Sequence, residues 1–304
     1  MGDGHAGALA AQSAGGRHRR RLLVALAIVA GFFVVEVVAA LLTGSLALLA
    51  DAGHMLTDVV GLGLAFAAIQ VAASPRAFSS QRSFGAYRLE ILAALVNAVL
   101  LTGLAGYVLV QGVRRLADPP EVAAGAMFVV ALAGLAVNVV AFLLLRPGAR
   151  ESLNIRGAYL EVAADALSSV GVIVAALVLA TTGWPYADPI VALGIALWVL
   201  PRAVLLGRQA LRVLLQAAPP DVPVERVHRD LAAIEGVVDV HDVHVWTLTS
   251  GMDVATAHLM VRTGADPHPV LDAARDVLAE RYGVEHATLQ VEPDDHSGCA
   301  EVRW

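Results

Sequence analysis

Long apolar runs separated by short polar breaks dominate the first two thirds of the chain. Six runs reach the length of about 20 residues that a spanning helix needs: 22–42, 46–71, 89–113, 122–145, 158–181 and 189–206. Thr43-Gly44-Ser45 joins the first two, and Gly183-Trp184-Pro185 precedes the last. After Gln216 the pattern changes. Pro219-Pro220 breaks the chain, and residues 224–234 have helical spacing behind Pro223. Residues 238–248 and 254–261 alternate as strands around a Ser250-Gly251 turn, 269–282 form a second amphipathic helix, and 287–292 form a third strand. The pattern predicts an α-helical membrane protein, a six-transmembrane-helix bundle followed by an α+β module of order αββαβ. At roughly 90 residues the module is near the size a small domain needs to fold. The domains expected are a disordered tail over 1–20, the bundle over 21–206, the module over 207–293 and a C-terminal tail over 294–304.

Composition agrees. Of 304 residues 58% are hydrophobic and 16% charged, against about 25% charged in a soluble domain. The net charge of −6 averages over membrane and soluble parts and indicates no partner. Nucleic-acid binding has no support, since there is no basic stripe and no aromatic platform. Cys299 is the single cysteine, which excludes an intramolecular disulfide and an all-thiolate zinc site. All 21 basic residues are arginine; with the heavy use of Ala, Val and Leu, this fits a GC-rich bacterial genome and a bacterial cell membrane. Arg17, Arg19, Arg20 and Arg21 precede the first run, which is too long for a signal-peptide core and reads as a retained span. Those arginines, with Arg76, Arg82, Arg88, Arg146, Arg150, Arg156, Arg208 and Arg212, fall on one side of the membrane. Only Arg114 and Arg115 fall on the other, so both termini are expected to be cytoplasmic.

The candidate chemistry lies in two four-residue spacings. His54 with Asp58, and Glu161 with Asp165, each share one face of an apolar helix. A charge at the bilayer centre costs about 2.5–3.5 kcal/mol, so these four groups together would cost on the order of 10 kcal/mol unless they share a cation or protons. Four nitrogen and oxygen ligands suit a tetrahedral zinc ion, and the same groups bind protons when the metal leaves. Asp51 lies one turn before His54; it reads equally as a group on the access path, as a partner fixing the His54 tautomer, or as a residue at the helix start. Glu36 and Asn97 are expected to be interhelical hydrogen-bond partners. Asp188 with Pro189 reads as a helix start, and Glu90 as structural.

Several separated segments, TGSLALLADAGHMLTD (43–58), SFGAYRLE (83–90), ADALSSVGV (164–172), VHDVHVW (240–246) and HATLQVE (286–292), together resemble the cation diffusion facilitators. The resemblance covers residues 22–292. It implies a proton-coupled antiporter exporting zinc and related divalent cations, a homodimer, and a ferredoxin-like fold for the cytoplasmic module. The family's zinc exporters usually carry His-x3-Asp in the fifth helix, where this chain has Glu161-x3-Asp165. Exchanging imidazole for carboxylate hardens the site, so zinc leads while cadmium, cobalt, iron and manganese stay open.

In the module, the resemblance places His241, His258 and Glu292 at metal-ligand positions, making Zn2+ both the transported substrate and a cytoplasmic ligand, with no organic cofactor. His286 is a weaker candidate, because six residues of strand span about 20 Å and separate it from Glu292. His244 reads as a packed sheet histidine and His268 as a loop residue. His296 and Cys299 fall in the tail. Neither a His-rich loop between the fourth and fifth spans nor a histidine in residues 72–82 is present. A metalloenzyme would need a motif such as His-Glu-x2-His, which the spans lack. The alternative retained is a membrane-anchored metal sensor without transport.

Overall fold

The computed structural model describes residues 14–72, 84, 88–147 and 153–295, with backbone only for 14–22, 57–58, 61–62, 64–72, 153–158 and 160–161. Six long helices come first: α1 (Ala14–Thr43), α2 (Leu46–Ala72), α3 (Arg88–Ala117), α4 (Ala124–Leu145), α5 (Leu153–Thr182) and α6 (Ala187–Leu214). Residues 1–13, 73–83, 85–87, 148–152 and 296–304 lie outside the described residues, and the last part of the expected N-terminal tail, 14–20, is helical as the start of α1. Five helices are long and apolar enough to cross a membrane among the described residues, and the described part of α2 adds the apolar stretch Leu46–Leu56. Their outer faces carry Val35, Leu42, Val99, Leu167, Leu177 and Trp198, all exposed, as lipid-facing surfaces should be. The chain divides into two compact units, Met1–Ala86 with Ala93–Gly207, and Tyr87–Leu92 with Arg208–Trp304.

Within the first unit α1, α2, α4 and α5 pack closely on one another. Small residues permit the approach: a Cβ on Gly134 of α4 would lie 2.9 Å from the Phe32 ring of α1. Helices α3 and α6 meet in the same way, since a Cβ on Gly112 would fall 2.7 Å from the Leu193 side chain. Without a hydrophobic drive between helices in lipid, such close van der Waals contact supplies the association.

One carboxylate ties three helices together at the α1–α2 turn, where Gly44 takes the left-handed conformation (φ +71°). Asp188, in the first turn of α6, is fully buried. It accepts hydrogen bonds from the Leu46 and Ala47 backbone N–H groups at 2.9 and 3.1 Å and from Ser45 Oγ at 2.5 Å. It therefore caps the N-terminus of α2, whose first N–H groups have no partner within their own helix. Arg115, from the last turn of α3, stands 3.7 Å from the same carboxylate and donates to the Gly44 carbonyl at 2.6 Å. The residue read as the start of its own helix is the cap of another.

The second unit holds α7 (Val224–Ala232), β1 (Val237–Thr249), β2 (Met252–Val261), α8 (His268–Asp276, extended by one π-helical turn, Val277–Arg281) and β3 (His286–Pro293). This is the αββαβ order expected. The sheet runs β1-β2-β3, with β1 antiparallel and β3 parallel to β2. Val227 and Leu231 of α7 and Val270, Ala274 and Leu278 of α8 and its extension bury with Val240, Val245, Leu259 and Val261 of the strands. The inward positions on β2 and β3 alternate with outward polar ones. Asp230 of α7 accepts hydrogen bonds from Tyr282 Oη at 2.8 Å and Arg281 Nη1 at 3.0 Å, and these donors hold its carboxyl below the usual carboxylate range.

Two outcomes follow. Asp188→Ala should cost about 3–5 kcal/mol, the effect of stripping a buried charge of its partner, read as a lowered thermal midpoint of the purified protein. Because the folded form depresses the Asp230 pKa, its stabilisation is present above the unfolded value and fades as pH falls below about 4. Melting curves across that range should therefore be less pH-dependent in Asp230→Asn than in the wild type.

Candidate functional site

The polar residues of the bundle converge between α2 and α5. His54 is 3% exposed and Asp165 is 1% exposed. His54 Nδ1 lies 3.2 Å from Asp165 Oδ1, yet both ring nitrogens and both carboxylate oxygens lack a hydrogen-bond partner among the described residues. Unsatisfied buried polar groups cost about 1–3 kcal/mol each, more when charged. Four such atoms on two facing residues make this pair the candidate cation or proton site. Asp58 and Glu161, the other two expected ligands, have helical backbones, and their side chains lie outside the described residues.

Around this pair is a polar shell that the sequence reading underweighted. Asp51, buried, accepts hydrogen bonds from Ser168 Oγ and from Ser169 Oγ, the latter at 3.2 Å. Asn138 of α4 stands 3.4 Å from Ser169 Oγ through its Nδ2. Asp51 thus belongs to the interior polar cluster, and the reading as a residue of the helix start fails. Ser168 and Ser169 follow Asp165 by three and four residues, the helical spacing that could have signalled them. Glu36 was expected to be an interhelical hydrogen-bond partner; fully buried, it has no donor at either oxygen among the described residues. Asn97 is likewise buried with its Oδ1 unpartnered.

A second constellation sits on the sheet. His241 on β1 is in register with His258 on β2, their ring centroids 5.1 Å apart. His258 pairs with Gln290 on β3, and Glu292, two residues on, falls on the same face. His258 Nδ1 lies 2.8 Å from Glu292 Oε1, and Gln290 Nε2 donates to the same oxygen at 2.6 Å. One ligand atom from each of His241, His258 and Glu292 lies within 4.8 Å of the others. His241 Nε2 is buried without a hydrogen-bond partner among the described residues. Two imidazoles and a carboxylate at this spacing fit zinc, with a fourth position open.

His286 is opposite Val254, at the far end of β3 from Glu292. His268 begins α8 and is exposed, and His296 and Cys299 lie outside the described residues. His244 corrects the expectation of a packed histidine. Its side chain is 49% exposed and 4.0 Å from Asp242. The reason is a bulge: the register shifts between His241 and His244, and Asp242 takes φ +49°. The extra residue brings His241 and His244, three apart, to partners only two apart on β2.

Residues 22–215 match the family model described as cation efflux transmembrane domain, and residues 219–294 match that of the cation efflux protein cytoplasmic domain. The chain belongs to the cation efflux family. This efflux protein is 43% identical over 293 residues to the metal cation efflux system protein CzcD of Cupriavidus metallidurans, covering 96% of this chain and 90% of that one. It is 41% identical over 285 residues to the zinc transporter ZitB of Escherichia coli, covering 91% and 90%. To the cadmium, cobalt and zinc/H(+)-K(+) antiporter of Bacillus subtilis it is 33% identical over 290 residues, covering 93% and 91%. It is an integral membrane protein of metal-cation efflux, a transporter and not an enzyme.

Gln290 lies outside the three-residue group and orients the Glu292 carboxylate. Gln290→Ala should weaken zinc binding at the sheet site of the efflux protein by roughly 10- to 100-fold, measured by competition with a fluorescent chelator.

Proposed function

We propose that the protein exports divalent transition-metal ions, zinc foremost, in exchange for protons, through a site made by His54, Asp58, Glu161 and Asp165. The observation that carries this reading is the His54–Asp165 contact, buried between α2 and α5 with no hydrogen-bond partner at any of its four polar atoms among the described residues. The helix register supports the other two ligands. Asp51 meets Ser168, and His54 meets Asp165; the residue numbers of both contacts add to the same total, as an antiparallel pair requires. Continuing that register one turn brings position 58 level with position 161. The names of the relatives, a zinc transporter and a cadmium, cobalt and zinc/H(+)-K(+) antiporter among them, support both the substrate class and the proton coupling.

The ligands serve both partners of the exchange. A metal ion needs the imidazole neutral and the carboxylates ionised, so arrival of the ion expels protons and arrival of protons expels the ion. Alternating access would rock the α1, α2, α4 and α5 group against the α3–α6 pair around a fixed site. Glu161 gives this shell one imidazole and three carboxylates, a harder set than two imidazoles would make. The second unit acts as a cytoplasmic zinc-binding and dimerisation domain, in line with its family match. Its ligands are His241, His258 and Glu292. Both termini face the cytoplasm of a bacterial cell, with the arginine-rich connections.

The test is flux into liposomes holding a fluorescent metal indicator, with zinc, cadmium, cobalt, iron and manganese compared with and without a pH gradient. Gradient-dependent zinc flux should disappear in Asp165→Ala. Glu161→His should shift the ratio of manganese to zinc flux toward zinc. Full zinc flux in Asp165→Ala would overturn the assignment.

A further inference from the structure

The sheet site takes one of its ligands from the least supported stretch of the sheet. β1 is an edge strand, so one side of it has no neighbouring strand. Its pairing with β2 is also interrupted twice, between Val237 and Asp239 and again between His241 and His244. Between those two shifts only Asp239, Val240 and His241 pair, with Met260, Leu259 and His258. His241 therefore lies at the end of a three-residue island of ladder. His258 and Glu292, by contrast, belong to strands whose mutual register runs unbroken from the Val254–His286 pair to the Val261–Pro293 pair.

Side-chain packing holds this island at one point. Val240 is buried in the core of the module, whereas Asp239 is exposed and His241 half-buried. Between α7 and this stretch lies a cleft of about 460 Å³, lined by Glu225, His228, Arg229, His241 and Asp242 among others. His228 reaches across it from α7, and its Nε2 lies 2.8 Å from the Val240 carbonyl oxygen. A carbonyl only accepts, so Nε2 carries the hydrogen and donates, whether the ring is neutral or protonated. The bond ties the island to a helix that is itself anchored in the core through Val227 and Leu231.

We infer that His228 is a positioning residue of the sheet site: it fastens the Asp239–His241 stretch through the Val240 carbonyl and so keeps His241 opposite His258. The inference rests on reading His241, His258 and Glu292 as a metal site. A stretch ordered in advance leaves less conformational entropy for the metal to remove, so zinc binds more tightly. The rival role for His228 is that of a fourth ligand. Its Nε2 is spent on the carbonyl, and it lies outside the group whose ligand atoms converge.

The experiment uses the full-length protein in detergent carrying Asp165→Ala, which removes a ligand of the proposed transport site. His228→Phe keeps a ring and loses the donor; His228→Gln keeps an N–H where Nε2 stood. Zinc affinity is read by chelator competition, and hydrogen–deuterium exchange over residues 237–249 is read in the zinc-free protein. His228→Phe should weaken zinc binding roughly tenfold and speed exchange in that segment, with β3 unaffected and zinc restoring protection. His228→Gln should keep both signals. Should His228→Phe fail to fold by size-exclusion chromatography, His228→Ala replaces it. Wild-type affinity and exchange in the folded variant would overturn the proposal, as would faster exchange throughout the module or a Gln variant no better than Phe. Loss of affinity with unchanged exchange over 237–249 would also overturn it, since His228 would then act as a ligand. His241→Ala separates the two ideas: unchanged zinc affinity there defeats the sheet-site reading. Zinc lost in His241→Ala but kept in His228→Phe defeats only the positioning role.

Discussion

A polar group inside hydrocarbon has no water to pair with, and that constraint organises the membrane half of this protein. Its buried carboxylates and imidazole sit where other elements face them. Asp188 meets the requirement in full: three donors and an arginine surround it, and three helices are thereby fixed at one end of the bundle. Asp51 meets it through two serine hydroxyls. Among the described residues, His54, Asp165 and Glu36 find no hydrogen-bond partner. Among the described residues the bundle is thus satisfied at the α1–α2 turn and unsatisfied where the transport site is proposed.

The two metal-type sites reflect the different media around them. In the bundle the proposed ligands lie one turn apart on helix faces, and His54 and Asp165 are shut away from solvent. On the sheet, His241 and His258 are only partly buried, and Glu292 is held by a neighbouring amide as well as by imidazole. Water can complete a coordination shell on the sheet, whereas the bundle must supply its ligands itself. The proposed division of labour, one site releasing its ion each cycle and the other keeping one, follows this difference of environment.

Much of this was legible in the chain because bilayer thickness and helix pitch are fixed quantities. The six apolar runs gave six helices, each within a few residues except where the helix continues beyond its apolar core, as α1 and α6 do past their arginines. His54 and Asp165 stood out from spacing, since two ionisable residues in apolar runs have few bland explanations, and the structure buries them 3.2 Å apart. The shell around them was harder to see. Ser168, Ser169 and Asn138 are small or neutral and carry no cost that would make them conspicuous. Asp188 misled because its local signal, an acidic residue before proline, was true of its own helix, while its partners are more than 140 residues away in sequence. Periodicity reports which face a residue occupies and stays silent on what packs there.

The bulge at Asp242 has a further consequence. A strand keeps phase by counting in twos, and β1 gains one residue between two paired stretches. On one side of that point Val245 points into the core; on the other, His241 meets His258. The length of the segment, more than the identity of Asp242 or Val243, is therefore what holds the metal ligands and the core in step. Substitutions inside it leave the count intact, but loss or gain of a single residue would turn His241 toward the apolar face or push Val245 out of it.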